Sequence, residues 1–206
     1  MAPGARVGVL ASGVGSNLQA LLDRVHGRDG IEIVAVASNK PDAQALGRAS
    51  EAGIETGVFP ADDYPDRASR DIALADWLDE REVHLVVLAG FMEILTTELI
   101  DRFRGRIVNV HPSLLPAFPG VRAIEQALDY GVQVAGVTVH FVDEGVDSGP
   151  IIKQEAFQLP YHRDIREVET RIHEIEHELL PRVVRLIAAG GVEIVGRQVQ
   201  VSDGGG

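Results

Sequence analysis

Asn109, His111 and Asp147 are the side chains whose types and spacing could do chemistry. The first two stand two apart at the end of the apolar run I-V-N-V-H, residues 107–111. On an extended strand that spacing sends both side chains to the same face. An asparagine amide can donate a hydrogen bond to a developing oxyanion. A histidine can move a proton near neutral pH. Asp147 lies in the loop D-E-G-V-D-S-G-P, residues 143–150, where Gly145 and Gly149 would let the chain bend inward. A carboxylate beside an imidazole favours the charged ring and fixes its orientation. Pro112, Pro116 and Pro119 follow the strand and stop it continuing. A polar pair at the end of a buried strand, followed by a stiff loop, is where an open α/β sheet places its chemistry. The plainer alternative is that Asn109 caps backbone groups and His111 is a satisfied, partly buried histidine. Ser113 follows a proline and sits in no G-x-S-x-G elbow, so no serine nucleophile is evident. His140 reads as a packed strand histidine, and Asp143 and Glu144 as solvated loop charges.

Two further motifs invite a ligand. S-G-V-G-S-N, residues 12–17, separates an apolar run at 7–11 from an amphipathic stretch at 18–25. Strand, glycine loop and helix together form a mononucleotide-binding opening. Gly13 and Gly15 permit a tight turn, and Ser16 and Asn17 could cap the helix and face an anion. The third glycine of the dinucleotide fingerprint is replaced by Leu18, and no Gly-Lys-Ser/Thr is present. A ligand-free glycine turn is the alternative. Residues 173–177 spell H-E-I-E-H, the H-E-x-x-H pattern of zinc proteases. The run is heavily charged and no third ligand at the usual spacing follows, which favours a solvated helix face.

The elements that must position these groups alternate. Strands are expected at 7–11, 31–37, 56–59, 84–89 and 107–110, with helices at 18–25, 41–52, 62–81 and 96–103 between them. Five alternations imply an α/β fold: a Rossmann-like, open, mostly parallel twisted sheet with helices on both faces. A helix at 121–130, closed by Gly131, precedes two strands, 132–142 and 151–159, expected to pair antiparallel. A long helix at 162–189, interrupted near Pro181, leads to a terminal hairpin around Gly196. Residues 1–201 read as a single domain and 202–206 as a disordered tail.

Composition narrows the class. The 206 residues carry 31 acidic against 19 basic side chains, a formal charge of −12. That disfavours a nucleic-acid binder, which would show a basic footprint. It does not oppose an anionic small substrate, because a helix N-terminus binds phosphate locally. With no cysteine there is no disulfide framework, thiolate nucleophile or cysteine metal site. No apolar run approaches a membrane span and the N-terminus lacks a signal-peptide pattern, so a cytoplasmic protein is expected.

The quoted motifs, with S-N-K-P at 38–41, L-A-G-F-M at 88–92 and G-V-T-V-H-F-V-D-E-G-V-D-S-G-P-I-I at 136–152, resemble the phosphoribosylglycinamide formyltransferase family over about residues 5–195. That resemblance implies the formyltransferase fold, with a phosphate-binding N-terminal half and a folate-binding C-terminal half. It implies transfer of a formyl group from 10-formyltetrahydrofolate, the cosubstrate, to the amine of 5-phosphoribosylglycinamide in purine biosynthesis. Asn109, His111 and Asp147 would be catalytic, with Asp147 raising the histidine's pKa. Gly15, Ser16 and Asn17 would hold the acceptor's phosphate, and His173, Glu174, Ile175 and Glu176 the rest of it, turning H-E-x-x-H into a substrate helix without metal. Arg67, Met92, Glu93, Ile94, Leu95, Asn109, Asp143, Glu144, Gly145, Val146 and Asp147 would line the folate pocket. The partners implied are these two small molecules, with no nucleic acid or membrane, in a monomer or homodimer. Similar hydrolases and tRNA-directed formyltransferases carry extra domains, for which this chain has no room. The rival activity is a 10-formyltetrahydrofolate hydrolase. Glu93 and Val14 depart from the family, where a basic residue and an asparagine are common. His173 also stands where some members have a neutral polar residue.

Overall fold

The computed structural model describes residues 4–161 and 164–202. The chain divides into two compact units, Met1–Asn109 and Val110–Gly206. The first contains β1 (Ala5–Leu10), α1 (Ser16–Arg24), β2 (Ile31–Ser38), α2 (Gln44–Glu51), β3 (Glu55–Val58), a 3₁₀ turn (Ala61–Asp63), α3 (Arg67–Asp79), β4 (Leu85–Leu88) and α4 (Thr97–Arg102). It also contains the start of β5 (Ile107–His111). Its strands lie in the order β3-β2-β1-β4-β5, each parallel to its neighbours. Their apolar runs are buried on both faces: Val9, Val36, Val86, Val87 and Val108 have no exposed surface. The register pairs Leu10 with Leu88 and Leu88 with Asn109. The loops after β1 and β4 and the end of β5 therefore emerge at one edge, the carboxyl edge of the parallel strands.

The second unit continues from β5 into α5 (Ala123–Tyr130), β6 (Val134–Phe141), β7 (Ile151–Gln158), α6 (Ile165–Ala188) and a separate hairpin of β8 (Val192–Val195) and β9 (Gln198–Val201). Strands β6 and β7 pair antiparallel, with a register shift at Val139/His140. The main sheet is seven-stranded and mostly parallel, in the order β3-β2-β1-β4-β5-β6-β7. The α/β alternation, the antiparallel pair and the terminal hairpin are those expected from the sequence.

Several boundaries differ, each for a local reason. The helix expected at 62–81 breaks at Pro65, leaving the 3₁₀ turn and α3, which Asp66 caps by accepting from the Ser69 N–H at 2.7 Å. Helix α2 begins at Gln44 rather than Pro41. Pro181 does not interrupt α6. Leu179, Leu180, Val183 and Val184 continue its buried face across the proline, and at roughly 1.5–3 kcal/mol each their burial outweighs one lost hydrogen bond. Ser202 is tied down, its N–H donating to Gly191 O at 2.9 Å. The rest of the expected tail, 203–206, and the expected start of the last helix, 162–163, lie outside the described residues.

The glycine loop is held differently from expectation. Gly15, not Ser16 or Asn17, is the N-cap of α1, at φ +75°, and no side chain caps the helix. Gly13 O accepts from Ala45 N at 3.1 Å and Val14 O from Arg48 Nε at 2.9 Å. A Cβ on Gly15 would stand 2.8 Å from the Ala45 Cβ. Both the left-handed backbone and the approach of α2 require glycine there. Replacing Gly15 by Ala is expected to lower stability by about 1–3 kcal/mol. Gly13→Ala, with nothing within 4 Å of its Cβ position, should cost less than about 1 kcal/mol. Urea-denaturation midpoints at unchanged slope check both.

Candidate active site

Within the second unit His111 and Asp147, 36 residues apart in sequence, come together. His111 is 4% exposed, at the end of β5. Its Nδ1 lies 3.3 Å from Asp147 Oδ2 and its Nε2 2.9 Å from the Phe118 carbonyl oxygen. Both ring nitrogens thus face oxygen. The same Asp147 oxygen accepts from the Gly120 N–H at 2.7 Å. The other, Oδ1, lies 3.5 Å from His140 Nε2, and His140 Nδ1 is 2.7 Å from the Phe141 carbonyl. Asp147 therefore stands between two buried imidazoles, and His140 belongs to this cluster rather than to packing alone.

The backbone is bent to make this cluster. Asp147 and Phe118 adopt left-handed φ of 49° and 54°, an uncommon region for residues with a Cβ. The inward bend expected of Gly145 and Gly149 is taken by Asp147 itself. Those glycines are needed for space: a Cβ on Gly149 would meet Phe141 O at 1.8 Å. Asp143 closes the loop by accepting from Gly145 N at 3.1 Å and Ser148 Oγ at 2.6 Å. Glu144 and Val146 are exposed. The proline loop is pinned from below. Thr138 Oγ1 donates to Ser113 O at 2.7 Å and accepts from Leu115 N at 3.1 Å, and Ser113 Oγ donates to Ala117 O at 2.6 Å.

Burial sets the titration of the pair. It holds His111 below the ordinary histidine value, against the opposing pull of the Asp147 charge and the Phe118 carbonyl, while His140 pushes the same way as burial. The carboxylate raises the histidine's pKa as expected, but desolvation wins. For Asp147, burial acts upward and is outweighed by the His140 hydrogen bond, the Gly120 N–H and the His111 charge, so its pKa lies below 3.8.

Other expected site residues sit in the first unit. Asn109 is half-buried on β5, two residues before His111 on the same face. Ser16 is half-buried and Asn17 buried on the first turn of α1. Met92 and Ile94 are exposed, Leu95 is buried, and Arg67 donates to the Ile94 carbonyl. Glu93 is turned toward Arg70, with Oε2 3.4 Å from its Nη1. In the second unit His173 and Glu174 are exposed on α6, whereas Ile175 and Glu176 are buried at 3% and 5% exposure. His173 and His177 stack with ring centroids 6.3 Å apart. Among the described residues no three His, Cys, Asp or Glu side chains are arranged to hold a metal ion.

A formyl transferase family model matches residues 5–184. The phosphoribosylglycinamide formyltransferase of Bacillus subtilis is 41% identical over 178 residues, covering 86% of this chain and 91% of the relative. This chain belongs to the formyl transferase family. The crystal structure of glycinamide ribonucleotide transformylase 1 from Symbiobacterium toebii superposes with a TM-score of 0.95 at 44% identity, covering 98% of this chain and 96% of that one. The trifunctional purine biosynthetic protein adenosine-3 of Drosophila pseudoobscura pseudoobscura is 45% identical over 196 residues. This chain spans 94% of its own length in that match but only 14% of the relative's.

Formyl transferases use formyltetrahydrofolate as cosubstrate, which fits an oxyanion donor and a proton-carrying imidazole. Among the described residues no helix is long and apolar enough to cross a membrane. The structure brings the expected His111 and Asp147 together, and it adds three groups that sequence reasoning missed: His140, the Gly120 N–H and the Phe118 carbonyl. The alternation of residues 134–141 marks a strand but leaves the parity of His140 relative to the site open, and a register shift lies beside it. Backbone donors and acceptors carry no sequence signal.

The titrations make a signed prediction. The unfolded chain protonates His111 around 6.5, before the folded chain does. Stability should therefore fall as pH drops from that value through the folded one. Asp147 adds a second loss below 3.8. The fall in urea midpoint across the histidine window should be smaller in His111→Gln than in the parent.

Proposed function

We propose that this chain transfers the formyl group of 10-formyltetrahydrofolate to the amine of 5-phosphoribosylglycinamide, giving the formylated ribonucleotide and tetrahydrofolate in purine biosynthesis. The observation that carries the reading is the buried His111 ring, held at both nitrogens and two residues beyond Asn109 on one strand, in a chain closely similar to proteins named for this reaction. The amine nitrogen attacks the formyl carbon, and the carbonyl electron pair moves onto oxygen. Asn109 and His111 stabilise that oxyanion. As the bond from the formyl carbon to N10 breaks, the proton lost by the amine travels through His111 to N10. No covalent intermediate with the enzyme forms. Asp147, itself oriented by His140 and Gly120, fixes the ring and favours its protonated form during transfer.

In this reading Gly15, Ser16 and Asn17 hold the acceptor's phosphate at the N-terminus of α1, the positive end of the helix dipole. The turn from His173 to Glu176 contacts the rest of the acceptor, with Glu176 near its amine. Arg67, residues 92–95 and residues 143–147 receive the folate, chiefly through backbone groups. Residues 1–201 act as one functional domain on two small molecules, with no metal. Release of tetrahydrofolate should require the ribonucleotide and match formylated product; release without it would mean a hydrolase. His111→Ala and Asp147→Ala should each lower kcat by about 10²–10⁴-fold, while isothermal titration gives acceptor affinity within about threefold of the parent. Near-parent turnover in either variant would overturn the mechanism.

A further inference from the structure

In the first unit a closed chain of polar contacts spans the turn after β4. It starts at the Met92 N–H, which donates to Ser12 Oγ at 2.8 Å. Ser12 Oγ donates to Asn39 Oδ1 at 2.6 Å, and Asn39 Nδ2 donates to Glu93 Oε1 at 3.0 Å. Glu93 Oε2 lies 3.4 Å from Arg70 Nη1. Arg70 Nε and Nη2 donate to Asp71 Oδ1 at 3.0 and 2.8 Å, and Asp71 Oδ2 accepts from the Thr96 N–H at 2.7 Å. The chain thus begins and ends on backbone donors that bracket residues 93–95. Three residues in it, Ser12, Arg70 and Asp71, are at most 5% exposed. The Arg70 Nη1 group is buried, makes no hydrogen bond and has Glu93 as its ion-pair neighbour. The turn it holds presents two apolar side chains to solvent, Met92 at 69% and Ile94 at 57% exposure.

We propose that Arg70 and Glu93 are positioning residues, a charged clasp that holds the turn at residues 92–95 in the shape in which it meets the formyl donor. The donor side of this inference rests on the function proposed above. The physical reason is the cost of a buried charge: a guanidinium taken out of water must be matched by oxygen, or the segment carrying the mismatch moves. Glu93 faces inward, onto Arg70 and Asn39, and acts on the turn's backbone rather than on a ligand. A basic side chain at position 93 would stand against Arg70. The clasp therefore predicts a sign opposite to that of a ligand-facing position. A basic residue at 93 would harm this enzyme, whereas at a ligand-facing position it would help bind an anionic folate tail.

Hydrogen exchange of the 91–96 amides, with separate KM values for the two substrates, tests this in Glu93→Arg, Glu93→Gln and the double variant Arg70→Gln/Glu93→Arg. Glu93→Arg should speed exchange of the Met92 and Thr96 amides by about tenfold or more. It should raise KM for 10-formyltetrahydrofolate by about tenfold, with acceptor KM and kcat within about threefold. Glu93→Gln should move both readouts the same way by less, and keeps the test open if Glu93→Arg fails to fold. The double variant, which removes the like-charge contact and keeps a donor for Asp71, should recover protection. Unchanged exchange in both single variants, or tighter donor binding in Glu93→Arg, would overturn the clasp. A parent enzyme without donor turnover would instead overturn the functional reading, and the exchange data would still decide the clasp.

Discussion

A carboxylate can leave water only where donors replace it, and the site in the second unit follows from meeting that condition for Asp147. Its oxygens face the His111 and His140 rings and the Gly120 N–H. Each of these sits where it does for a reason of fold. His111 ends a buried strand, and His140 lies beside a register shift in β6. Gly120 ends a loop whose turns are fixed by Ser113 and Thr138. Withdrawing any one donor would leave a half-buried negative charge short of a partner, at a cost of roughly 1–3 kcal/mol. The carboxylate consequently sets the shape of two loops as well as the orientation of one ring.

The first unit solves the opposite problem, a buried cation, with the same kind of answer. Arg70 is 1% exposed, and its guanidinium is matched by Asp71 on one side and Glu93 on the other. Both solutions occur where strands end and the chain leaves the ladder. There backbone N–H and C=O groups need partners that a sheet no longer supplies. Charged side chains placed at those points satisfy the backbone and fix it together, which is why the turns beside the strand ends are ordered without being regular.

What could be read from the sequence divides along the same line. Periodicity is a property of runs, so β1 to β5 and their helices were legible from alternating patches of valine, isoleucine and leucine, as was the antiparallel pair β6 and β7. Asn109 and His111 were legible because side-chain parity on a strand follows from spacing alone. The break at Pro65 was missed because a strongly charged run hid a turn and a cap. The start of α1 at Gly15 was missed because two good capping residues, Ser16 and Asn17, stand directly after it. The role of Glu93 could not be read at all. It depends on Arg70, on a different element 23 residues earlier, and nothing local in the sequence pairs them.

The positive φ angles of Asp147 and Phe118 carry a mechanistic consequence. Gly145 and Gly149 stand two residues to either side of Asp147 and Gly120 two residues after Phe118, yet the chain places the strain on residues with side chains, at a cost on the order of 1–3 kcal/mol each. Strain there persists because the surrounding contacts over-determine it. Asp147 must turn its carboxylate to two histidines, and Phe118 must turn its carbonyl to His111 Nε2. That carbonyl occupies the ring nitrogen opposite Asp147. On the mechanism proposed above, Nε2 would exchange Phe118 for substrate while Nδ1 stays on the carboxylate. The ring is then already aligned and desolvated when the exchange occurs. The hydrogen bond it gives up is to a neutral carbonyl, weaker than the charge-assisted one it retains.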